Sequence, residues 1–311
     1  MGCLFSCWKT EVINIYEKRK EMRLSKIKRA NLDTVQEIIQ QTNNFAPKHR
    51  VNQGTFSEIY LCQIRAYGRV AIKRMTKYNV SVNAAKESQF LRRYKHRNVI
   101  QFHQCVEIDN QLCYIMEYVE NGNLCQHLQD QNPQLNCWYR LQICLGTAQG
   151  IQYLHSAFLK SLIHGDIRTE NILLDSHYVA KIGKFDQSKL TKARIPRNQF
   201  DDEIAILQGS LGYTRIPPEA FRGEITLGYD VYGFGSVLLE VLSGRPYLSP
   251  FQGFQTLVQY YRVCEENKCV FPRDPYAHWP YNIEKTLQNL AFGCLQERPS
   301  IRLSLKKAGY I

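Results

Sequence analysis

The rhythm of apolar and polar positions changes twice along the chain. Residues 8–46 are charged and polar, and Ile27, Val35, Ile38 and Ile39 offer only a narrow apolar stripe, which predicts a helical arm. From Val51 to about Asn121, short runs rich in β-branched and aromatic residues take over: Ile59-Tyr60-Leu61, Val70-Ala71-Ile72, Val99-Ile100 and Tyr114-Ile115-Met116. These predict strands, interrupted by one helix around Ala84 to Arg93 with Phe90 and Leu91 on its apolar face. After Gly122 the pattern turns helical, with long amphipathic stretches at 135–156, 229–242 and 284–294. The expected organisation is an arm (1–46), a small sheet-rich lobe (about 47–121) and a larger helical lobe (about 122–309). Together the lobes form one α+β domain over 47–309.

Composition narrows this only a little. Of 311 residues, 44% are hydrophobic and 22% charged, which excludes a disordered or collagen-like chain. The net charge of +12 is unevenly spread. In residues 1–30, eight basic residues against three acidic ones leave +5, which favours a basic arm over a nucleic-acid groove. No nucleic-acid partner is expected. Apolar runs such as Val237-Leu238-Leu239 are too short to cross a bilayer. The eleven cysteines are odd in number and contain no Cys-x-x-Cys pair. Reduced thiols are therefore expected, with Cys113, Cys144 and Cys294 as small core residues.

The first residues carry an address. In Met1-Gly2-Cys3-Leu4-Phe5-Ser6-Cys7, loss of Met1 leaves Gly2 as an acceptor for myristate, with Ser6 at the favoured position. One myristoyl chain binds membranes marginally, so a second signal is needed. Cys3 and Cys7 are available for palmitate, and Lys18, Arg19, Lys20, Arg23, Lys26, Lys28 and Arg29 for anionic lipid, at about 1 kcal/mol each. The expected location is the cytoplasmic face of the plasma membrane, lipid-anchored.

From Val51 onward, ordered motifs resemble those of protein kinases. Val51-Asn52-Gln53-Gly54-Thr55-Phe56-Ser57-Glu58-Ile59 is similar to the glycine-rich loop, with Gly54 alone of three glycines kept and Ser57 adding bulk at the tip. Val70-Ala71-Ile72-Lys73 matches the strand whose lysine holds nucleotide phosphates, and Glu87 on the predicted helix is its candidate ion-pair partner. Ile163-His164-Gly165-Asp166-Ile167-Arg168-Thr169-Glu170-Asn171 has the catalytic-loop form, with Asp166 at the base position and Asn171 at a metal-ligand position. Pro218-Glu219 and the Asp230 helix start follow in order, and Arg298-Pro299 supplies the arginine expected to pair with Glu219. The resemblance implies the bilobal protein kinase fold. It also implies a nucleotide site lined by Gly54, Ala71, Lys73, the gatekeeper Met116, and the hinge residues Glu117 and Val119.

Thr42-Asn43-Asn44-Phe45 and Arg222-Gly223-Glu224-Ile225-Thr226 resemble the receptor-like and interleukin-receptor-associated kinase group. The acylated arm is similar to plant receptor-like cytoplasmic kinases. Tyr153-Leu154-His155-Ser156-Ala157-Phe158 resembles plant pseudokinases that partner coiled-coil nucleotide-binding (NLR) immune receptors.

Departures from the pattern point away from catalysis. Ala180-Lys181-Ile182-Gly183-Lys184-Phe185-Asp186 stands where K-I-x-D-F-G is expected, so Lys184 replaces the aspartate that binds magnesium. No metal is expected, and Asp186 lies two residues too far on to substitute. Leu91, His164 and Phe185 remain able to stack. Gly165 replaces the arginine that pairs a phosphorylated loop, and the segment from Gly209 to Glu219 is two residues longer than the family's spacing. The expected function is a membrane-tethered pseudokinase serving as adaptor, scaffold or decoy for kinases or an NLR receptor. Two alternatives stand beside it: an atypical active Ser/Thr kinase, and a switch binding ATP weakly and without metal through Lys184.

Overall fold

A computed structural model describes residues 32–54, 57–76, 81–130, 135–190, 215–222, 224–248 and 253–305. Gly2, Cys3, Cys7 and the basic cluster at 18–29 lie outside the described residues. The chain divides into two compact units, Met1–Arg93 with Gln101–Tyr118, and Tyr94–Ile100 with Val119–Ile311.

The first unit is built on a five-stranded sheet of order β1-β2-β3-β5-β4: β1 (Arg50–Gln53), β2 (Ser57–Ile64), β3 (Gly68–Met75), β4 (Phe102–Ile108) and β5 (Gln111–Glu117). All neighbours are antiparallel. Short turns set the register: Asp109 and Asn110 take φ of 51° and 59° between Ile108 and Gln111, the two-residue geometry that matches strand twist. Alternate residues of β3 point inward, so Val70 and Ile72 are fully buried.

Helix α1 (Leu32–Thr42) packs on β2 and contributes the fully buried Ile38 to the same core as Tyr60, Ile64, Ile72 and Ile115. The helix ends at Thr42, whose hydroxyl donates to Ile38 O at 2.7 Å and accepts from Phe45 N–H at 3.0 Å. Asn43, Asn44 and Phe45 then run in the left-handed region, which turns the Phe45 ring into the core against Tyr60 at 5.2 Å. The Tyr60 hydroxyl donates to Phe45 O at 2.9 Å and holds that strained residue. Helix α1 and the turn after it thus pack into the core of the first unit. The stripe of Val35 and Ile38 is narrow because the helix meets the small sheet chiefly at β2.

The second unit is helical: α3 (Leu124–Gln129), α4 (Cys137–Ser156), α5 (Gly228–Ser243), α6 (Leu257–Asn267) and α7 (Tyr281–Cys294). From Asp230 to Ser243 every residue of α5 is buried, as expected of a helix surrounded on all sides by its unit. Two short antiparallel pairs, β6 (Leu162–Ile163) with β9 (Lys189–Leu190) and β7 (Ile172–Leu174) with β8 (Ala180–Ile182), meet α4 through β6 and β8. The expected strand at Val99-Ile100 is only an isolated bridge to Ile182, because Asn98 and Ile100 each bond Ile182 from outside a ladder. Helix α2 (Ser81–Arg93) belongs to the first unit and carries Leu91, 1% exposed.

The arginine paired with Glu219 is Arg302, not Arg298. Arg302 Nη2 donates to Glu219 Oε2 at 3.0 Å, with both side chains essentially inaccessible. Arg298 sits on an exposed turn whose carbonyl accepts from Ile301 N–H. That turn after α7 carries the chain four residues further before an arginine side chain can point inward.

Nine cysteines fall among the described residues, all as free thiols, and all but Cys269 are buried. Burial pushes Cys105, Cys113, Cys144 and Cys294 up to about 12. No described helix is long and apolar enough to cross a membrane.

Candidate active site

In the first unit, β3 and α2 bring Lys73 to Glu87. Lys73 Nζ donates to Glu87 Oε1 at 2.8 Å and Oε2 at 3.0 Å, and Glu87 is only 2% exposed. A two-pronged acceptor fixes the ammonium in place. The Tyr114 ring lies beneath it, 5.7 Å from Nζ. Ala71 and Met116 face each other across β3 and β5. Gly54 N–H donates to Ser57 O at 2.8 Å, closing a hairpin whose two tip residues, 55 and 56, lie outside the described residues. Ser57 is the first residue of β2, opposite Met75, and its hydroxyl would lie 3.5 Å from a Cβ added at Gly54. Glu117 turns inward: its N–H donates to Gln101 O at 2.9 Å and its carboxylate accepts from Gln101 N–H at 2.6 Å. Val119 is half-buried and opens the last stretch of the second unit.

In the second unit, the residues after β6 form the other cluster. Asp230, at the start of α5 and fully buried, accepts from His164 N–H and Gly165 N–H at 2.8 Å each, and its Oδ2 lies 2.8 Å from His155 Nε2. These bonds require a sharp backbone bend at Gly165, where φ is +81° and an added Cβ would meet Gln187 O at 2.9 Å. His164 Nε2 lies 2.8 Å from Gly183 O, and its ring meets Phe185 edge-on at 4.8 Å.

Asp166 is ringed by donors. Its Oδ2 accepts from Lys184 Nζ at 2.9 Å and from Asn171 Nδ2 at 2.8 Å, while Oδ1 lies 2.6 Å from Arg168 Nε. Asn171 also donates to the Asp166 carbonyl at 2.8 Å. Burial pushes the Asp166 carboxyl up, but Lys184 and Arg168 outweigh it and hold the group at about 2. Lys184 is likewise opposed by burial, yet Asp166 and Asp186 raise it above the ordinary lysine range. Lys184 reaches Asp166 from a backbone at φ +63°, a left-handed conformation costing about 1–2 kcal/mol for a residue with a Cβ. Asp186 is partly buried and its nearest donor is Gln187 Nε2 at 3.5 Å.

This donor set does not suit magnesium, which demands several oxygen ligands in octahedral array. Asp166 and Asn171 are bonded to each other, and an ammonium stands where the metal's carboxylate is expected. Among the described residues no group of three His, Cys, Asp or Glu side chains could hold a metal ion. Sequence reasoning missed Arg168, although its place two residues after Asp166 was a usable signal.

The family described as "Protein kinase domain" matches residues 45–309. LysM domain receptor-like kinase 10 of Oryza sativa subsp. japonica is 32% identical over 303 residues, covering 90% of this chain and 47% of the relative. Chitin elicitor receptor kinase 1 of Physcomitrium patens is 32% identical over 301 residues, covering 88% and 45%. Receptor-like protein kinase HERK 1 of Arabidopsis thaliana is 35% identical over 213 residues, covering 67% and 25%. The chain spans half the length or less of these curated relatives.

Proposed function

This chain belongs to the protein kinase family, with plant receptor-like kinases among its relatives, and we propose that it works as a pseudokinase. It serves as a membrane-tethered adaptor, scaffold or decoy in receptor and immune signalling, with little or no phosphotransfer. The observation that carries this reading is the Lys184–Asp166 ion pair at 2.9 Å. A general base must accept a proton near neutral pH, and a carboxylate held at about 2 by two cations is a poor acceptor. Phosphoryl transfer further rests on positioned metal charge, and Lys184 repels such a metal.

Purified protein should therefore incorporate no labelled phosphate above an Asp166→Asn control with either Mg²⁺ or Mn²⁺. The Lys184→Asp/Asp186→Gly double variant rebuilds the expected carboxylate. It should lose stability without Mg²⁺, because two carboxylates then meet, and regain it when the metal is added. Transfer by the unaltered protein at rates ordinary for the family would overturn the reading.

A kinase domain implies ATP binding, and the closed Lys73–Glu87 pair supports it in the first unit. We infer that binding is weak and independent of metal, because Lys184 supplies one positive charge in place of Mg²⁺. Calorimetry with ATP in EDTA tests this, and binding only on adding Mg²⁺ overturns it.

The tether is proposed from Gly2, Cys3, Cys7 and the basic cluster at 18–29. Gly2→Ala should shift the protein from membrane to soluble fractions, and unchanged fractionation would sink the lipid anchor. The proposed protein partners are kinases or an NLR immune receptor, on the side of the membrane facing the cytoplasm.

A further inference from the structure

Helix α6 ends on a pair of cysteines that phosphoryl transfer does not use. Its last turn is closed by Lys268, which takes the left-handed conformation at φ 54° and ψ 31°. The N–H groups of Lys268 and Cys269 both turn back onto Cys264 O, the second at 2.9 Å. Cys264 and Cys269 thereby occupy the two positions of a Schellman cap whose side chains ordinarily make an apolar contact. Here both side chains are thiols.

The cap also fixes their reach. With standard backbone dimensions, 2.9 Å between Cys269 N and Cys264 O holds the two Cα atoms to less than about 6.8 Å. Disulfides span Cα separations of about 4.4–6.8 Å. The two thiols lie within hydrogen-bonding reach of each other. The pair is asymmetric, since Cys264 is 3% exposed and Cys269 opens to solvent. Burial and the neighbouring Cys269 push the Cys264 thiol up to about 11, while the Tyr260 side chain, one turn earlier, hydrogen-bonds the same sulfur and favours its thiolate. Cys105 and Cys113 in the first unit also act on each other, but both are fully buried, where no dissolved oxidant reaches them.

We propose that Cys264 and Cys269 form a dithiol modification site that a hydroperoxide closes to a disulfide, with Cys269 as the entry thiol and Cys264 as the resolving one. With hydrogen peroxide, the Cys269 sulfur attacks one oxygen and the O–O bond breaks. The other oxygen leaves with the thiol proton as water, and Cys269 becomes a sulfenic acid. The Cys264 sulfur then attacks the Cys269 sulfur: the S–S bond forms, the S–O bond breaks, and the hydroxyl leaves with the Cys264 proton as a second water. Two thiols lose two electrons and the peroxide gains them. Because one helix cap holds both sulfurs, the second step is intramolecular and outruns capture by any other thiol. This inference is independent of phosphotransfer and of Lys184.

The full chain, purified in reduced form, is the test: it is exposed to hydrogen peroxide, alkylated under denaturing conditions and digested with trypsin. Cleavage after Lys268 separates the two cysteines, so the closed pair appears as peptides 263–268 and 269–273 joined by a disulfide that dithiothreitol parts. This joined pair should exceed links from Cys269 to any other cysteine at least tenfold, at a rate unaffected by dilution of the protein. In Cys264→Ser, dimedone should trap Cys269 as the sulfenic acid. In Cys269→Ser, Cys264 should stay reduced under the same exposure. The primary readout uses the unaltered chain, so it stands even where Cys264→Ser does not fold. A Cys269 that stays reduced, an oxidised Cys269 without the joined pair, or undiminished oxidation of Cys264 in Cys269→Ser would overturn the proposal.

Discussion

Replacing Lys184 with Met removes the ammonium from Asp166 while keeping an unbranched chain on the same backbone. The two charges are 2.9 Å apart, and the Lys184 side chain is 48% exposed, so water screens the pair strongly. At the dielectric of water, Coulomb's law gives about 1.4 kcal/mol at that separation, or roughly one pK unit. Asp166 stands at about 2, below its ordinary 3.8, so in the variant its midpoint should rise by about one unit. Arg168, at 2.6 Å from the other oxygen, limits the rise. The sign follows from linkage. A carboxylate depressed in the folded state contributes stability above its unfolded value and loses it as pH falls through about 2. The variant should lose that contribution at a higher pH, and the contribution should be smaller. The assay follows the Asp166 carboxyl ¹³C shift from pH 5 downward, with urea melts over the same range. Superimposable titrations of the two proteins would refute the claim that Lys184 sets the charge state of Asp166.

Two further outcomes are expected. Arg302→Ala strips a fully buried carboxylate, Glu219, of its partner and should cost about 3–5 kcal/mol in a urea melt, whereas Arg298→Ala should change stability by less than about 0.5 kcal/mol. Gly165→Ala forces a Cβ into a left-handed backbone facing Gln187 O, and should lower stability by about 1–3 kcal/mol with no gain of phosphotransfer; unchanged melting would refute the strain argument.

Periodicity and motif order made the helices α2, α4, α5 and α7 legible in advance, because each carries an apolar face or a family motif. Helix α6 was missed although Thr256 and Gln259 form a capping box, a signal easily hidden beside the polar run that ends the helix. The Val99-Ile100 strand was over-read, since two β-branched residues cannot state whether a partner strand exists. Single residues known by their neighbours in sequence, such as Lys73, Asp166 and Lys184, could be named before any coordinates. Their partners were legible only where a motif spaced them, as with Glu87. Arg302 depends on how segments far apart in sequence meet, bonding Glu219 and the Gly228 carbonyl at the start of α5, and no local pattern records that meeting.

The thiols of the two units lend themselves to timing. At pH 7 a cysteine held at about 12 is ionised in only about one molecule in 10⁵, and alkylating reagents react with the thiolate. Among the described cysteines, Cys269 alone is exposed and should label at once. Cys105 and Cys113 sit in the first unit, Cys144 and Cys294 in the second, so each unit carries its own pair of slow reporters. Pulse alkylation followed by peptide mass mapping would then give separate opening clocks for the sheet unit and the helical unit. A ligand that closes only one of them would slow only that unit's clock.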